Sequence, residues 1–274
     1  MLPPDASAPA IPPPLPAAGW RRPLAGFAVD LAVALALVFG VAFAGSVLWA
    51  FARGLRLGLQ GGAGADLSAL TGRIGQPGAL ALLVISLAAS GAAALVLYFW
   101  RHRAGPGERA ASHAAARRPA TWCWALLAGV ASFAASAVAT TLGQQAGIEQ
   151  APTNGAVIEA VGAGHPVLLL LLAVVAAPAC EELLFRRVLF GRLWAAGRPW
   201  LGLVLSSTAF ACLHELPGAG GHGVAGSLLL WACYAAMGAA FAAVYWRTGT
   251  LWSAIGAHAT NNLIACALLL AGVH

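Results

Sequence analysis

Charged side chains are scarce in this chain. Asp, Glu, Lys and Arg make up 9% of its 274 residues, and lysine is missing altogether. A water-soluble domain carries about 25% charged residues, so too few are present here to cover a solvated surface. Cysteine is thin as well. The five (Cys123, Cys180, Cys212, Cys233 and Cys266) all fall in apolar runs without a CxxC pair. An odd number so placed argues against a disulfide framework and for small core residues. The local zincin motif HExxH is absent: Glu215 follows His214, but Pro217 breaks the helix and position 218 is Gly,. No internal repeat is visible, which argues against an inverted-repeat transporter.

What is present is apolar: 60% of the residues are hydrophobic. Runs of spanning length lie near 24–52, 78–100, 121–142, 166–190, 226–246 and 250–271, with a shorter one at 200–214. A helix needs about 20 residues to cross the hydrocarbon. The pattern predicts an all-α polytopic transmembrane bundle of about seven spans. Residues 1–20 form a Pro/Ala-rich leader predicted to be disordered, and 21–274 a single transmembrane domain. The 24–52 run is too long for a signal-peptide core of about 7–15 residues, and reads as a retained span.

The formal net charge is +6, carried by arginine alone. Arg21 and Arg22, the group Arg101, Arg103, Arg109, Arg117 and Arg118, the group Arg186, Arg187, Arg192 and Arg198, and Arg247 flank alternate ends of the spans. That distribution suits anionic lipid head groups rather than nucleic acid, and it predicts a cytoplasmic N-terminus. The lysine-free, Ala/Gly/Arg-rich composition looks bacterial, so the expected location is the bacterial cytoplasmic (inner) membrane.

Three polar constellations interrupt the apolar runs. In Glu181-Glu182-Leu183-Leu184-Phe185-Arg186, Glu182 and Arg186 are i and i+4 and share a helix face. Glu181 is rotated about 100° away and stays free for proton chemistry. An acidic side chain at bilayer depth costs roughly 2.5–3.5 kcal/mol even on lenient scales, so this pair faces protein or water. Pro178, just upstream, kinks or starts the helix and frees backbone groups. The second constellation is Phe210 with His214, and the third His258 with Asn262; each is an i, i+4 pair.

Glutamate with histidine deprotonates a water, and a second histidine with an amide donates to an oxyanion. Zinc held by Glu181, His214 and His258 is the alternative use of the same residues. The blander readings also stand: a helix meeting head groups, a solvated helix-end histidine, and Asn as interhelical glue. A transporter would need polar residues through both halves of the bilayer. The early spans offer chiefly Asp30, expected at the interface. Glu215 and His222, in the loop after His214, read either as a gate over the site or as solvated loop residues.

EExxxR, FxxxH and HxxxN, each in its own apolar segment and in this order, resemble the CAAX-protease and bacteriocin-processing (CPBP, or Abi) family of intramembrane endopeptidases. That family is related to the type II CAAX prenyl protease. The similarity covers about residues 165–270, the expected catalytic core. The resemblance implies a glutamate-type membrane protease, a metalloprotease being the less favoured form. Glu181 and His214 would activate water, His258 and Asn262 would hold the oxyanion, and Glu182, Arg186 and Phe210 would support them. It implies a membrane peptide or protein substrate, lipid-modified or not, and requires no cofactor, with zinc as the alternative. A non-catalytic binding, scaffold or bacteriocin self-immunity protein is the alternative function.

Overall fold

A computed structural model of the protein describes residues 19, 21–61, 72–215 and 223–273. The leader, apart from Gly19, and His222 lie outside the described residues. The elements are α1 (Arg21–Gly61), α2 (Ala79–Arg101), α3 (Pro106–Ala116), α4 (Pro119–Gln145) and α5 (Gly155–Gly164). They continue with α6 (Pro166–Ala195), α7 (Pro199–His214), α8 (Val224–Thr248) and α9 (Leu251–Leu270). No strand occurs among the described residues.

Among the described residues, six helices are long and apolar enough to cross a membrane: α1, α2, α4, α6, α8 and α9. The protein is a polytopic helical membrane protein. The seventh expected span, α7, has 16 residues, or about 24 Å, and stops short of a full crossing at His214. Helix α1 continues nine residues past the expected end at Ala52, because Arg53 and Arg56 are good helix formers and do not stop the ladder.

Punctuation is local. Proline opens α3, α4, α6 and α7 at the first helical turn, where its missing N–H costs nothing. Gly249 sits at φ 71° between α8 and α9, a left-handed position that stops one helix and reverses the chain.

Helix α6 is the axis of the bundle. One apolar cluster joins it to α1, α2 and α7 through Phe27, Leu97, Leu184, Val188 and Phe210. A second joins Phe190 to α4, α8 and α9 through Ala125, Phe241 and Ala257. Outward faces stay apolar, with Phe43, Leu48 and Phe51 all exposed, as lipid contact requires. Helix α4 lies close against α9: a Cβ on Gly129 would stand 2.5 Å from the Ala257 carbonyl oxygen.

Asp30, expected at the interface, is paired with the end of α2. It is fully buried and receives Arg101 and His102 from α2 and its C-terminal end, at 2.5 and 2.8 Å, and Arg192 from α6. One carboxylate thus pins three elements together.

Candidate active site

The helix that carries the glutamates is not regular. Within α6, Leu171–Ala176 and Leu183–Phe190 are π-helical, and Ala177–Glu182 between them is α-helical. Such i→i+5 stretches are rare and cluster at functional sites.

Glu182 is fully buried. Its Oε2 is 2.8 Å from Arg186 Nε and its Oε1 is 2.9 Å from His258 Nδ1. The carboxylate pairs with the arginine and accepts the Nδ1 hydrogen of His258. The terminal nitrogens of Arg186 make no hydrogen bond among the described residues. They are packed among aromatic rings instead: the guanidinium carbon lies 5.1 Å from Phe210, 5.8 Å from Phe185 and 5.9 Å from Phe241. Cation–π attraction of about 2 kcal/mol when desolvated offsets part of the cost of burying that charge.

Glu181 occupies different surroundings. Its side chain is 17% exposed, and Oε2 lies 3.3 Å from His214 Nε2 and 3.9 Å from His258 Nε2. Oε2 makes no hydrogen bond of regular geometry with a described residue. His214 Nδ1 donates to the Phe210 carbonyl oxygen at 2.9 Å. Both imidazoles therefore spend Nδ1 on an acceptor and turn Nε2 towards Glu181. An ionised carboxylate oxygen and a bare ring nitrogen are both acceptors. A contact of 3.3 Å between them is favourable only with a proton shared by the pair. Glu181 and His214 are thus spaced so that they can share a proton.

Aromatic rings fix the imidazoles. His214 lies between Phe210 (centroids 4.0 Å) and Tyr234 (4.9 Å), and His258 stacks on Phe241 at 4.9 Å. Asn262 is turned to α6, donating from Nδ2 to the Ala173 carbonyl oxygen at 2.8 Å. It also accepts from Asn261 Nδ2 at 3.0 Å.

The structure thus gathers Glu181, Glu182, Arg186, Phe210, His214 and His258 into one contact network, with Asn262 at its edge on Ala173. Sequence reading missed Tyr234 and Phe241. Their signal was spacing, since Trp231, Tyr234, Gly238 and Phe241 fall on one face of α8. It also misjudged Glu215, which is fully buried. Its Oε2 accepts from Thr153 N–H at 3.1 Å and from Thr153 Oγ1 at 2.8 Å, while its main-chain oxygen accepts from Trp231 at 2.7 Å. Glu215 is a tether between α7, α8 and the segment before α5, not a solvated loop residue.

Inward-facing Nε2 atoms with engaged Nδ1 atoms are how ligand histidines are held. As spaced here, though, no three His, Cys, Asp or Glu side chains among the described residues are disposed to hold an ion.

Comparison with known proteins bears on the same segment. The family model described as "Type II CAAX prenyl endopeptidase Rce1-like" matches residues 163–264, a stretch that contains all three polar constellations. The similarity to that family is confined to this segment. A Bacillus subtilis (strain 168) protein named "Putative membrane peptidase YdiL" is 30% identical over 95 residues, 35% of this chain. The match spans about a third of that relative's length, 34%. No solved structure matches. The matched segment begins in the last turn of α5 and ends within α9, so α1 to α4 and most of α5 lie outside it.

Proposed function

We propose that the protein is an intramembrane endopeptidase that hydrolyses a peptide bond of a membrane-associated peptide or protein, with or without a lipid modification. The observation that carries this reading is the convergence of two imidazole Nε2 atoms on Glu181 Oε2, at 3.3 and 3.9 Å. The Rce1-like match and the peptidase name borne by the Bacillus relative support the same class.

In the proposed reaction Glu181 removes a proton from water, and the oxygen adds to the scissile carbonyl carbon. His258, held through Nδ1 by Glu182, donates from Nε2 to the resulting oxyanion when doubly protonated. Asn262 adds its second Nδ2 hydrogen. His214 passes a proton to the amide nitrogen, the C–N bond breaks, a carboxylic acid and an amine leave, and the proton held by Glu181 returns to His214 across the 3.3 Å contact. No step requires a metal. The composition favours residence in a bacterial inner membrane with the N-terminus cytoplasmic.

The test compares membrane peptide profiles of cells expressing wild-type protein or Glu181→Gln. We expect peptides that depend on Glu181. Identical profiles would remove the hydrolytic reading and leave the non-catalytic scaffold or self-immunity role.

A further inference from the structure

Pro178 is buried in the middle of α6, three residues before Glu181. Upstream of it the helix is wound in the i→i+5 register, and Ala177 N–H donates to Leu172 O. The next bond of that series would run from residue 178 to the Ala173 carbonyl. Proline has no N–H to give. The α-register donor for the same carbonyl is Ala177, already committed to Leu172. Ala173, 9% exposed, is thereby left with a carbonyl that no main-chain N–H in either register serves. Buried carbonyls seldom stay unmet, and Asn262 Nδ2 of α9 meets this one at 2.8 Å.

We propose that Pro178 is a positioning residue for Asn262. By withholding one main-chain donor it creates the acceptor that draws the Asn262 amide onto α6, on the same helix as the glutamates. The same missing bond ends the π run, so Ala177–Glu182 returns to α-helical winding and the phase of Glu181 and Glu182 is set. The inference rests on the reading of Asn262 as a site residue, and it separates from interhelical glue by its dependence on residue 178. If Asn262 were only a linker between spans, its bond would be indifferent to whether residue 178 has an N–H.

The experiment is a double-mutant cycle on the full-length protein purified in detergent, with Pro178→Ala, Asn262→Leu and the pair, read by thermal unfolding. The same variants are expressed in cells and read by the membrane peptide profile. Removing proline from a helix interior should keep or raise the melting temperature, an outcome a purely structural proline would not give. We expect Glu181-dependent peptides to fall about tenfold in Pro178→Ala, part of the 10²–10³ that one oxyanion donor supplies.

Asn262→Leu should lower the melting temperature by roughly 2–4 °C in the wild-type background, and by less than half as much beside Pro178→Ala. Equal losses in both backgrounds, or undiminished peptides in Pro178→Ala, would overturn the proposal. Pro178→Ser restores the same N–H and replaces the alanine variant if that does not accumulate. Absence of Glu181-dependent peptides in the wild type would sink the peptidase reading instead, and the thermal cycle then decides this inference by itself.

Discussion

Glu181 and Glu182 are neighbours in sequence and opposites in circumstance. Glu182 is spent on Arg186 and His258, whereas Glu181 keeps an oxygen turned to two ring nitrogens. Their substitutions should therefore fail in different ways. Glu181→Gln and His214→Ala are expected to lower cleavage by at least about 10²-fold while the unfolding temperature in detergent stays near wild type. Full cleavage by either purified variant would refute their roles. Glu182→Gln leaves Arg186 buried without its counter-ion, a change that costs about 3–5 kcal/mol. The double variant Glu182→Gln/Arg186→Met should recover most of that loss, because the stranded charge is gone. Thermal unfolding of the single and double variants checks this. Phenanthroline or EDTA should leave cleavage unchanged, and a loss restored by zinc would reinstate the metal reading.

At the scale of the element, close approach decides where His258 stands. Gly129 of α4 touches α9 with no room for a methyl group, and the nearest atom is a backbone oxygen that cannot swing aside. Gly129→Ala is expected to cost about 1–3 kcal/mol and to lower cleavage as α9 shifts, measured by unfolding and by product yield. The long apolar helices among the described residues were legible in the sequence because apolar runs of that length have few other uses. The short α7 was legible too, since its run ends at His214 and Pro217. The π-helical stretches were not: LLAVVA and LLFRRVLF carry no mark of their winding, apart from Pro178 downstream of the first. The residues of the three polar constellations could be read, since each is costly in an apolar setting. Ala173 could not, because what matters there is a main-chain carbonyl, which any residue has. Tyr234 and Phe241 were hidden for the opposite reason, as aromatic residues are ordinary in a span and only their shared face on α8 sets them apart.

Across the whole molecule, α1 is held to the segment matched by the family model by a buried carboxylate. Asp30→Asn would leave Arg101, Arg192 and His102 around a neutral amide. We expect a loss of about 3–5 kcal/mol and faster hydrogen exchange in α1, with little dependence on salt because the carboxylate is shielded. Helix α3, outside the spans, is tied down by Arg187, which donates to Glu108 at 3.1 Å. Arg187 holds that carboxyl below its ordinary range, with the Gly105 N–H adding to the effect. A lowered folded-state value means the tie is present above the ordinary carboxylate pKa of about 4.3 and is lost as pH falls through the depressed one. The Glu108→Gln variant should therefore differ from wild type near neutral pH and converge with it in acid. Arg186, finally, has a bearing on biogenesis. Its ring partners arrive on three helices, Phe185 from α6, Phe210 from α7 and Phe241 from α8, and His258, the second group on its counter-ion, comes later still on α9. A nascent chain halted after α6 would expose an ion pair to lipid with most of its shelter still unmade. Insertion should thus be cooperative over the second half of the chain, and arrested fragments should be cleared by membrane quality control before they accumulate.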